Sequence, residues 1–226
     1  MRTKFIVHST AIVVAVFAAV HLAGAQSAPQ VVITWRSNNF VPSDYRGKTL
    51  PVKDTVVVAA VDVLEGGVFA NLSNTQINWL VNGKLYQKGV GLEQFAFKLP
   101  FGNAGLATIK TFLPNYKGAL LEKTTSVPVA SPEVVLRAPF VGGRVPAGVI
   151  TLRATPYFFN VQSQTKLGFS WSANNRTAEG ESAAPDRLTL NATGAASGDR
   201  LAVSVSAYNA SNPAEFARSS AVFEVK

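Results

Sequence analysis

The residue types that most often carry out catalysis are confined to the start of this chain. Both histidines, His8 and His21, and the one methionine lie within the first 25 residues, and the chain has no cysteine. A serine or cysteine nucleophile usually passes its proton to a histidine, and zinc sites need histidine, cysteine or clustered carboxylates. Beyond residue 25 the composition therefore argues against nucleophilic catalysis and against a zinc site.

The remaining acid–base groups are carboxylates and lysines. Glu179 and Glu181 lie two residues apart with Asp186 nearby, so a strand would turn the two glutamates to one face. A glycosidase needs two carboxylates on either side of a sugar, but the surrounding residues are typical of a solvated loop. The nearest Ser–Lys pairs, of residue types common on any protein surface, are Ser43 with Lys48 and Ser126 with Lys123.

Cation ligands are equally sparse. Calcium sites between tandem domains need several closely spaced Asp and Asn side chains, and the stretch from residue 127 to 135 offers only Glu133. We therefore expect no catalytic residue, no metal, no cofactor and no enzymatic activity.

Aromatic side chains in loops are the better candidates for binding. Tyr157, Phe158 and Phe159 are three consecutive rings, which cannot all face one core, and Phe40 and Tyr45 lie in a turn-rich segment, residues 36–50. One interpretation is that these rings pack against a neighbouring domain, cap a sandwich end or pin their loop in place. The other is that they form an exposed surface for a partner or glycan.

Charge is positive but dispersed. The net charge is +8 at pH 7, without a run of basic residues. Nucleic-acid sites need clustered Lys and Arg, preferably with stacking aromatics. We therefore expect no nucleic-acid partner; the expected partner is a protein or an envelope polymer.

Residues 1–25 have the features of a secretory signal peptide. Arg2 and Lys4 precede an apolar stretch that is densest at residues 11–20, and Ala23-Gly24-Ala25 is a small-residue cleavage pattern. We expect export to the cell surface, periplasm or extracellular space, with Gln26 as the mature start. The alternative is an uncleaved segment, which would be the only contact with the membrane. Without a cysteine after it, a bacterial lipoprotein anchor is excluded.

Two tryptophan strands organise the rest of the chain. Residues 75–89 alternate around Trp79 and contain Asn82 and Gly83, a pair that favours the tight type I′ turn of a hairpin. The pattern returns 92 residues later around Trp171, with Asn174 and Asn175 at the turn. Both tryptophans are therefore expected in the core, one in each domain.

The rest of the sequence also predicts strands. Residues 56–61 form an apolar run typical of a central strand, and residues 95–99 and 201–207 alternate apolar with polar side chains. Short strands at regular spacing between turns predict an all-β chain with two antiparallel β-sandwiches. The expected organisation is a signal peptide at 1–25, one domain at 26–130 and another at 131–226, divided at Ser131 and Pro132.

Two units with an inward tryptophan on a central strand resemble tandem Ig-like domains of the PKD or bacterial Ig-like kind, over residues 31–226. The two cysteines that flank this tryptophan in antibody domains are missing. The chain is also similar to exported bacterial proteins in which a segment like residues 33–51 precedes two sandwiches, and this resemblance implies a role in the cell envelope. The expected function is therefore a non-enzymatic structural or adhesive one. The alternatives are a module that binds an envelope glycan or polymer, and a pilus-type assembly subunit that pairs through the strand at residues 31–35.

Overall fold

The structure, a computed structural model, describes residues 28–99 and 105–226. The expected signal peptide at 1–25 lies outside these residues. Within the described ranges, the chain contains no helix that combines the length and apolar character needed to cross a bilayer.

The N-terminal sandwich is made of two antiparallel sheets. One sheet has the order β1-β2 with β6 and the short β3 also on β2, and the other has the order β5-β4-β7-β8. The strands are β1 (Gln30–Ser37), β2 (Val56–Glu65), β3 (Val68–Phe69), β4 (Gln76–Val81), β5 (Lys84–Val90), β6 (Gln94–Lys98), β7 (Gly105–Tyr116) and β8 (Ala119–Val129).

The C-terminal sandwich repeats this plan. Its smaller sheet has the order β9-β11-β14 and its larger sheet has the order β13-β12-β15-β16-β10, in which only β10 pairs parallel to its neighbour. The strands are β9 (Glu133–Arg137), β10 (Arg144–Val145), β11 (Val149–Tyr157), β12 (Leu167–Ala173), β13 (Arg176–Ala178), β14 (Arg187–Asn191), β15 (Arg200–Asn209) and β16 (Asn212–Val225).

The two tryptophans occupy equivalent positions between the sheets. Trp79 on β4 and Trp171 on β12 are buried, and each belongs to one of the two hydrophobic clusters. Each indole N–H donates to a backbone carbonyl of the connection towards the opposite sheet, Trp79 to Leu92 at 2.9 Å and Trp171 to Pro185 at 3.0 Å. The ring thus fills the core while its one polar atom is satisfied.

Asparagine fixes both tight turns. Asn82 and Gly83 have φ values of 50° and 77°, and Asn174 and Asn175 have 48° and 63°. The predicted positive-φ hairpin turns are confirmed. Each leading side chain also accepts a backbone N–H from the neighbouring strand at 2.9 Å, Asn82 from Thr108 and Asn174 from Ala202. These bonds tie the hairpin to the strand on its other side.

The apolar run at residues 56–61 is central, as predicted, since β2 lies between β1 and β6. Its side chains nevertheless alternate: Val57, Ala59 and Val61 are buried, whereas Val56 is 52% exposed. A sheet of a two-layer sandwich has one outer face, so apolar composition does not make both faces of the strand interior.

Candidate functional site: the junction between the sandwiches

The two sandwiches are joined by a very short connection. Strand β8 ends at Val129 and β9 begins at Glu133, so the predicted boundary at Ser131 falls between them. The backbone N–H of Ala130 donates to the carbonyl oxygen of Pro51 at 2.9 Å. A connection this short and hydrogen-bonded gives the two sandwiches little freedom to separate.

The segment between β1 and β2 crosses to the C-terminal sandwich. Phe40 and Phe159 form an isolated antiparallel bridge, in which Phe40 N–H donates to Phe159 O at 2.8 Å and Phe158 N–H donates to Phe40 O at 2.7 Å. The Phe40 ring packs against the hydrophobic cluster of the C-terminal sandwich. This segment of the first half therefore completes the core of the second.

Asn39 adds a buried polar connection beside this bridge. Its amide nitrogen lies 2.9 Å from the Phe158 carbonyl oxygen and 3.0 Å from the Thr55 hydroxyl, and it donates to both. Its own oxygen is buried and finds no hydrogen-bond partner within the described residues. An unpaired buried backbone carbonyl is costly, and Asn39 supplies the Phe158 carbonyl with a hydrogen bond that the Phe40–Phe159 bridge does not provide.

Rings and charges close the outer side of the junction. The centroid of the Tyr45 ring lies 5.6 Å from that of Phe158 and 5.9 Å from that of Tyr157, and both pairs are arranged edge to face. Arg137 donates to the Tyr157 hydroxyl at 2.6 Å and forms an ion pair of 3.4 Å with Asp44. The hydrogen bond to Tyr157 is the main reason why the pKa of Arg137 is raised. These contacts surround the bridge with a partly exposed polar rim.

Phe158 has a strained backbone. Its φ is 62°, in the left-handed region that non-glycine residues rarely occupy. The N–H of Phe158 is bonded to Phe40 and its carbonyl to Asn39, so two contacts with the other sandwich hold it in this conformation. Such strain persists only where the surroundings over-determine the local conformation.

All five aromatic residues expected to bind a partner come together in this junction. Phe159 and Phe158 are buried, and the remaining three are half-buried. The rings of Phe158 and Phe159 have little surface open to an outside molecule, whereas Phe40, Tyr45 and Tyr157 stay partly exposed. The rings pack against one another and the neighbouring sandwich, and partner binding through the exposed ones stays a prediction. Sequence reasoning missed Asn39 and Arg137, since neither stands out before the chain brings it to the rings.

An open cavity of about 420 Å³ also lies at the junction. Residues 52–54 and 130–132 line it together with four residues of the β15–β16 hairpin, Asn212, Ala214, Glu215 and Phe216. The Phe216 ring is 61% exposed, whereas the Glu215 carboxylate accepts hydrogen bonds from Asn160 N–H and Asn209. The cavity thus offers one apolar ring and several polar groups, without a free buried acid.

Three of the candidate acid–base groups, Asp186, Glu181 and Lys48, each contact a different partner. Asp186 accepts from Arg153 at 3.0 Å and Glu181 accepts from the Thr189 hydroxyl at 2.8 Å. The Lys48 ammonium lies 3.4 Å from the centroid of the Trp35 ring, and burial lowers its pKa. Across residues 28–99 and 105–226, no three His, Cys, Asp or Glu side chains are grouped closely enough to hold a metal ion.

The architecture defines the class of protein. In each half, a sheet of three main strands faces a second sheet in which an interior strand carries the buried tryptophan. The chain is an all-β protein of two tandem Ig-like antiparallel β-sandwiches, as predicted.

Solved structures with similar folds have low sequence identity. The three N-terminal domains of the highly immunogenic outer capsid protein (Hoc) of bacteriophage RB49 are 12% identical, with a TM-score of 0.47, over 88% of this chain and 59% of that chain. The fibronectin(III)-like modules of Clostridium thermocellum CbhA are 17% identical, with a TM-score of 0.29, over 87% and 93%. Bacteroides ovatus SGBP-B, in complex with a mixed-linkage heptasaccharide, is 14% identical, with a TM-score of 0.27, over 85% and 47%.

These likenesses concern the fold alone. The chain spans less than two thirds of the Hoc and SGBP-B chains that it matches. No protein-family model and no curated protein matches the sequence.

Proposed function

We propose that this chain is a non-enzymatic, exported structural or adhesive protein of the bacterial cell envelope, in which the junction holds two Ig-like sandwiches as one rigid unit. The observation that carries the proposal is the crossing of the β1–β2 segment, with Phe40 packed in the C-terminal core and Asn39 bonded to Phe158. A junction held in this way suits a spacer or adhesin that bears load or presents a surface at a set distance.

Composition supports the same proposal. The signal-peptide pattern at 1–25 favours export, and the sequence beyond it contains no histidine or cysteine. A cysteine-free exported chain must derive its stability from its cores rather than from disulfides. Each sandwich has an extensive hydrophobic core.

The test is whether the two sandwiches tumble together. Protein expressed from the full sequence and purified after export should give one rotational correlation time for both sandwiches in NMR relaxation. Phe40→Ser should give separate, shorter times, because the ring that anchors the crossing segment is lost. Ser43→Ala, in the same segment, is the matched control. Independent tumbling of the wild-type sandwiches, or turnover of a substrate by the purified protein, would contradict the proposal.

A glycan- or polymer-binding function is the second candidate, and the junction cavity favours it. The exposed Phe216 ring could pack against the C–H face of a sugar while Asn212 and Ser131 bond its hydroxyls. Co-sedimentation with insoluble peptidoglycan, compared between wild type and Phe216→Ser, tests this function. Binding that survives Phe216→Ser excludes the cavity as the site.

A further inference from the structure

Three arginines lie side by side on the outer face of the smaller sheet of the C-terminal sandwich. Arg137 on β9 is directly opposite Arg153 on β11, and Arg153 is directly opposite Arg187 on β14. All three are exposed beside buried or half-buried neighbours, so they share the outer face, and we call them the arginine row. Since neighbouring strands lie about 4.8 Å apart, the row is roughly 10 Å long.

The fold does not require this arrangement. Like charges directly opposite one another on neighbouring strands destabilise a sheet. In the corresponding sheet of the N-terminal sandwich, the position opposite Arg36 is Val58, and Ala96 follows on the next strand. The same architecture thus forms without an arginine row, and a local arrangement that works against stability is typical of functional sites.

An open cavity of about 410 Å³ is bounded by the arginine row. Thr151, Leu152, Ala138 and Pro139 complete its lining. No acid lines it among the described residues, so the charged groups around the cavity are all positive. The hydroxyl of Thr151 and the apolar side chains of Ala138 and Pro139 lie beside the arginines.

Two arginines of the row are held in place. Arg153 donates from Nε to Asp186 at 3.0 Å, and the Asp186 side chain is 11% exposed, against 56% for Arg153. The N–H groups on the two terminal nitrogens of Arg153 have no partner within the described part of the chain. Arg137 is fixed by Tyr157 and Asp44. Arginines that are positioned before a ligand arrives lose less conformational entropy when they bind it.

Arg187 is the unengaged member of the row. Its side chain forms no hydrogen bond or ion pair with another described residue. Glu181, which contacts the same strand, is bound to the Thr189 hydroxyl at 2.8 Å. The guanidinium of Arg187 is therefore available to a ligand.

We propose that the arginine row binds the carboxylates of an acidic polysaccharide. The planar guanidinium matches a carboxylate with two parallel hydrogen bonds. A single exposed ion pair contributes little, so useful affinity requires a ligand that reaches several arginines at once, as a polymer with a carboxylate on each sugar does.

The rest of the lining favours a sugar polymer. Thr151 can bond a sugar hydroxyl, while Ala138 and Pro139 can contact the C–H groups of the ring. The described lining contains no aromatic ring on which a nucleic-acid base could stack.

The inference rests on the second candidate function, polymer binding. It specifies the ligand class and places it at a site other than the junction cavity, and it does not depend on a rigid junction.

Titration calorimetry of the exported, purified protein with polygalacturonate at low ionic strength tests the inference. We expect the wild type to bind and Arg187→Gln to bind roughly tenfold more weakly, because one charge-assisted contact is lost. Arg187→Lys keeps the charge but loses the planar fork, so its affinity should be intermediate. The matched control is Arg176→Gln, which removes the same charge from β13 in the opposite sheet and should bind like the wild type.

Two further polymers identify the recognised chemistry. Fully methyl-esterified polygalacturonate keeps the sugars without their charge and should not bind. Linear polyphosphate, at the same concentration of charge, should bind more weakly, because it has no sugar ring to contact Thr151, Ala138 and Pro139. Equal affinity for polyphosphate would overturn the assignment to acidic sugars.

The inference would also be overturned by a wild type that does not bind polygalacturonate, by Arg187→Gln binding as tightly as the wild type, or by equal binding of the methyl ester. A denaturation midpoint of Arg187→Gln below that of the wild type would show that this arginine serves the fold, and would likewise overturn it.

The same titrations separate this inference from the proposed functions. Binding that is lost in Phe216→Ser but kept in Arg187→Gln would remove the arginine row as the site and leave polymer binding at the junction cavity. Absence of binding in a wild type whose sandwiches tumble together would remove the inference and leave the structural function.

Discussion

The side-chain amide of Asn39 donates a hydrogen bond of 2.9 Å to the backbone carbonyl of Phe158, 119 residues further along the chain. The same nitrogen donates to Thr55, in the sandwich from which Asn39 comes. One buried side chain therefore links the backbone of one sandwich to a side chain of the other.

Removing this amide should weaken the junction. Asn39→Ala leaves the buried Phe158 carbonyl without its partner, and we expect a loss of about 1–3 kcal/mol in the free energy of unfolding. Asn38→Ala, at an exposed neighbouring position, is the control and should change stability little. Chemical denaturation of both variants measures the difference; equal stabilities would show that the Asn39 bond contributes nothing.

The backbone strain at Phe158 predicts that glycine is a more stable replacement than alanine at this position. Phe158→Ala and Phe158→Gly both remove the ring, but only alanine retains the cost of a φ near 62°. Because that cost is roughly 1–2 kcal/mol for an L-residue, the glycine variant should be the more stable by about 1 kcal/mol. If alanine proves the better replacement, the left-handed conformation at this position is not strained.

The two tryptophans should tolerate substitution poorly. Trp79→Ala and Trp171→Ala each remove a buried ring, and a cost of about 3–5 kcal/mol is expected for each. Trp79→Phe keeps an aromatic ring but leaves the Leu92 carbonyl unpaired, so its cost should be smaller, about 1–3 kcal/mol. Urea unfolding followed by circular dichroism provides the comparison. A phenylalanine variant as unstable as the alanine variant would contradict this order, because it would mean that the remaining ring recovers no stability.

Acid should weaken the ion pair between Glu65 and Lys117, which joins the β2–β3 turn to the β7–β8 turn. The hydrogen bond from Lys117 lowers the pKa of the Glu65 carboxyl below its ordinary value of 4.5. A carboxyl with a lowered folded pKa contributes stability above its unfolded pKa, and this contribution is lost as the pH falls through the folded value. Between pH 7 and pH 3 the wild type should therefore lose more stability than Glu65→Gln.

The size of this difference is expected to be small, because the ion pair lies at the surface and the Lys117 side chain is 68% exposed. Glu122→Gln is the matched control, since Glu122 forms another surface ion pair, with Lys110. Denaturation midpoints measured across the pH range would contradict the assignment if Glu65→Gln and the wild type fell in parallel.

Local chemistry made the hairpins predictable, whereas the junction required distant residues to meet. Asn82 with Gly83 and Asn174 with Asn175 specify their turns within two residues, and the strands around Trp79 and Trp171 alternate by their own period. The sequence showed that Phe40 and Phe159 are aromatic residues in loops. It could not show that their backbones would pair, because this depends on how one sandwich is set on the other.

Small features escaped prediction for a related reason. Strand β10 is two residues long and pairs parallel to the end of β16, so no periodicity could identify it. The two-residue strand β3, Val68–Phe69, is also too short to show a period, and its side chains are exposed although both are apolar.

The packing of Phe40 against the C-terminal core also determines the order in which the chain can complete its fold. During synthesis the N-terminal sandwich emerges first, and its β strands can pair without any later residue. The crossing segment must then wait with its ring unpacked until β11 to β16 have followed. A C-terminal fragment that starts at residue 131 never receives that ring. Folding of the C-terminal sandwich thus depends on a segment of the N-terminal half. A truncation at the boundary should therefore destabilise the C-terminal fragment more than the N-terminal fragment.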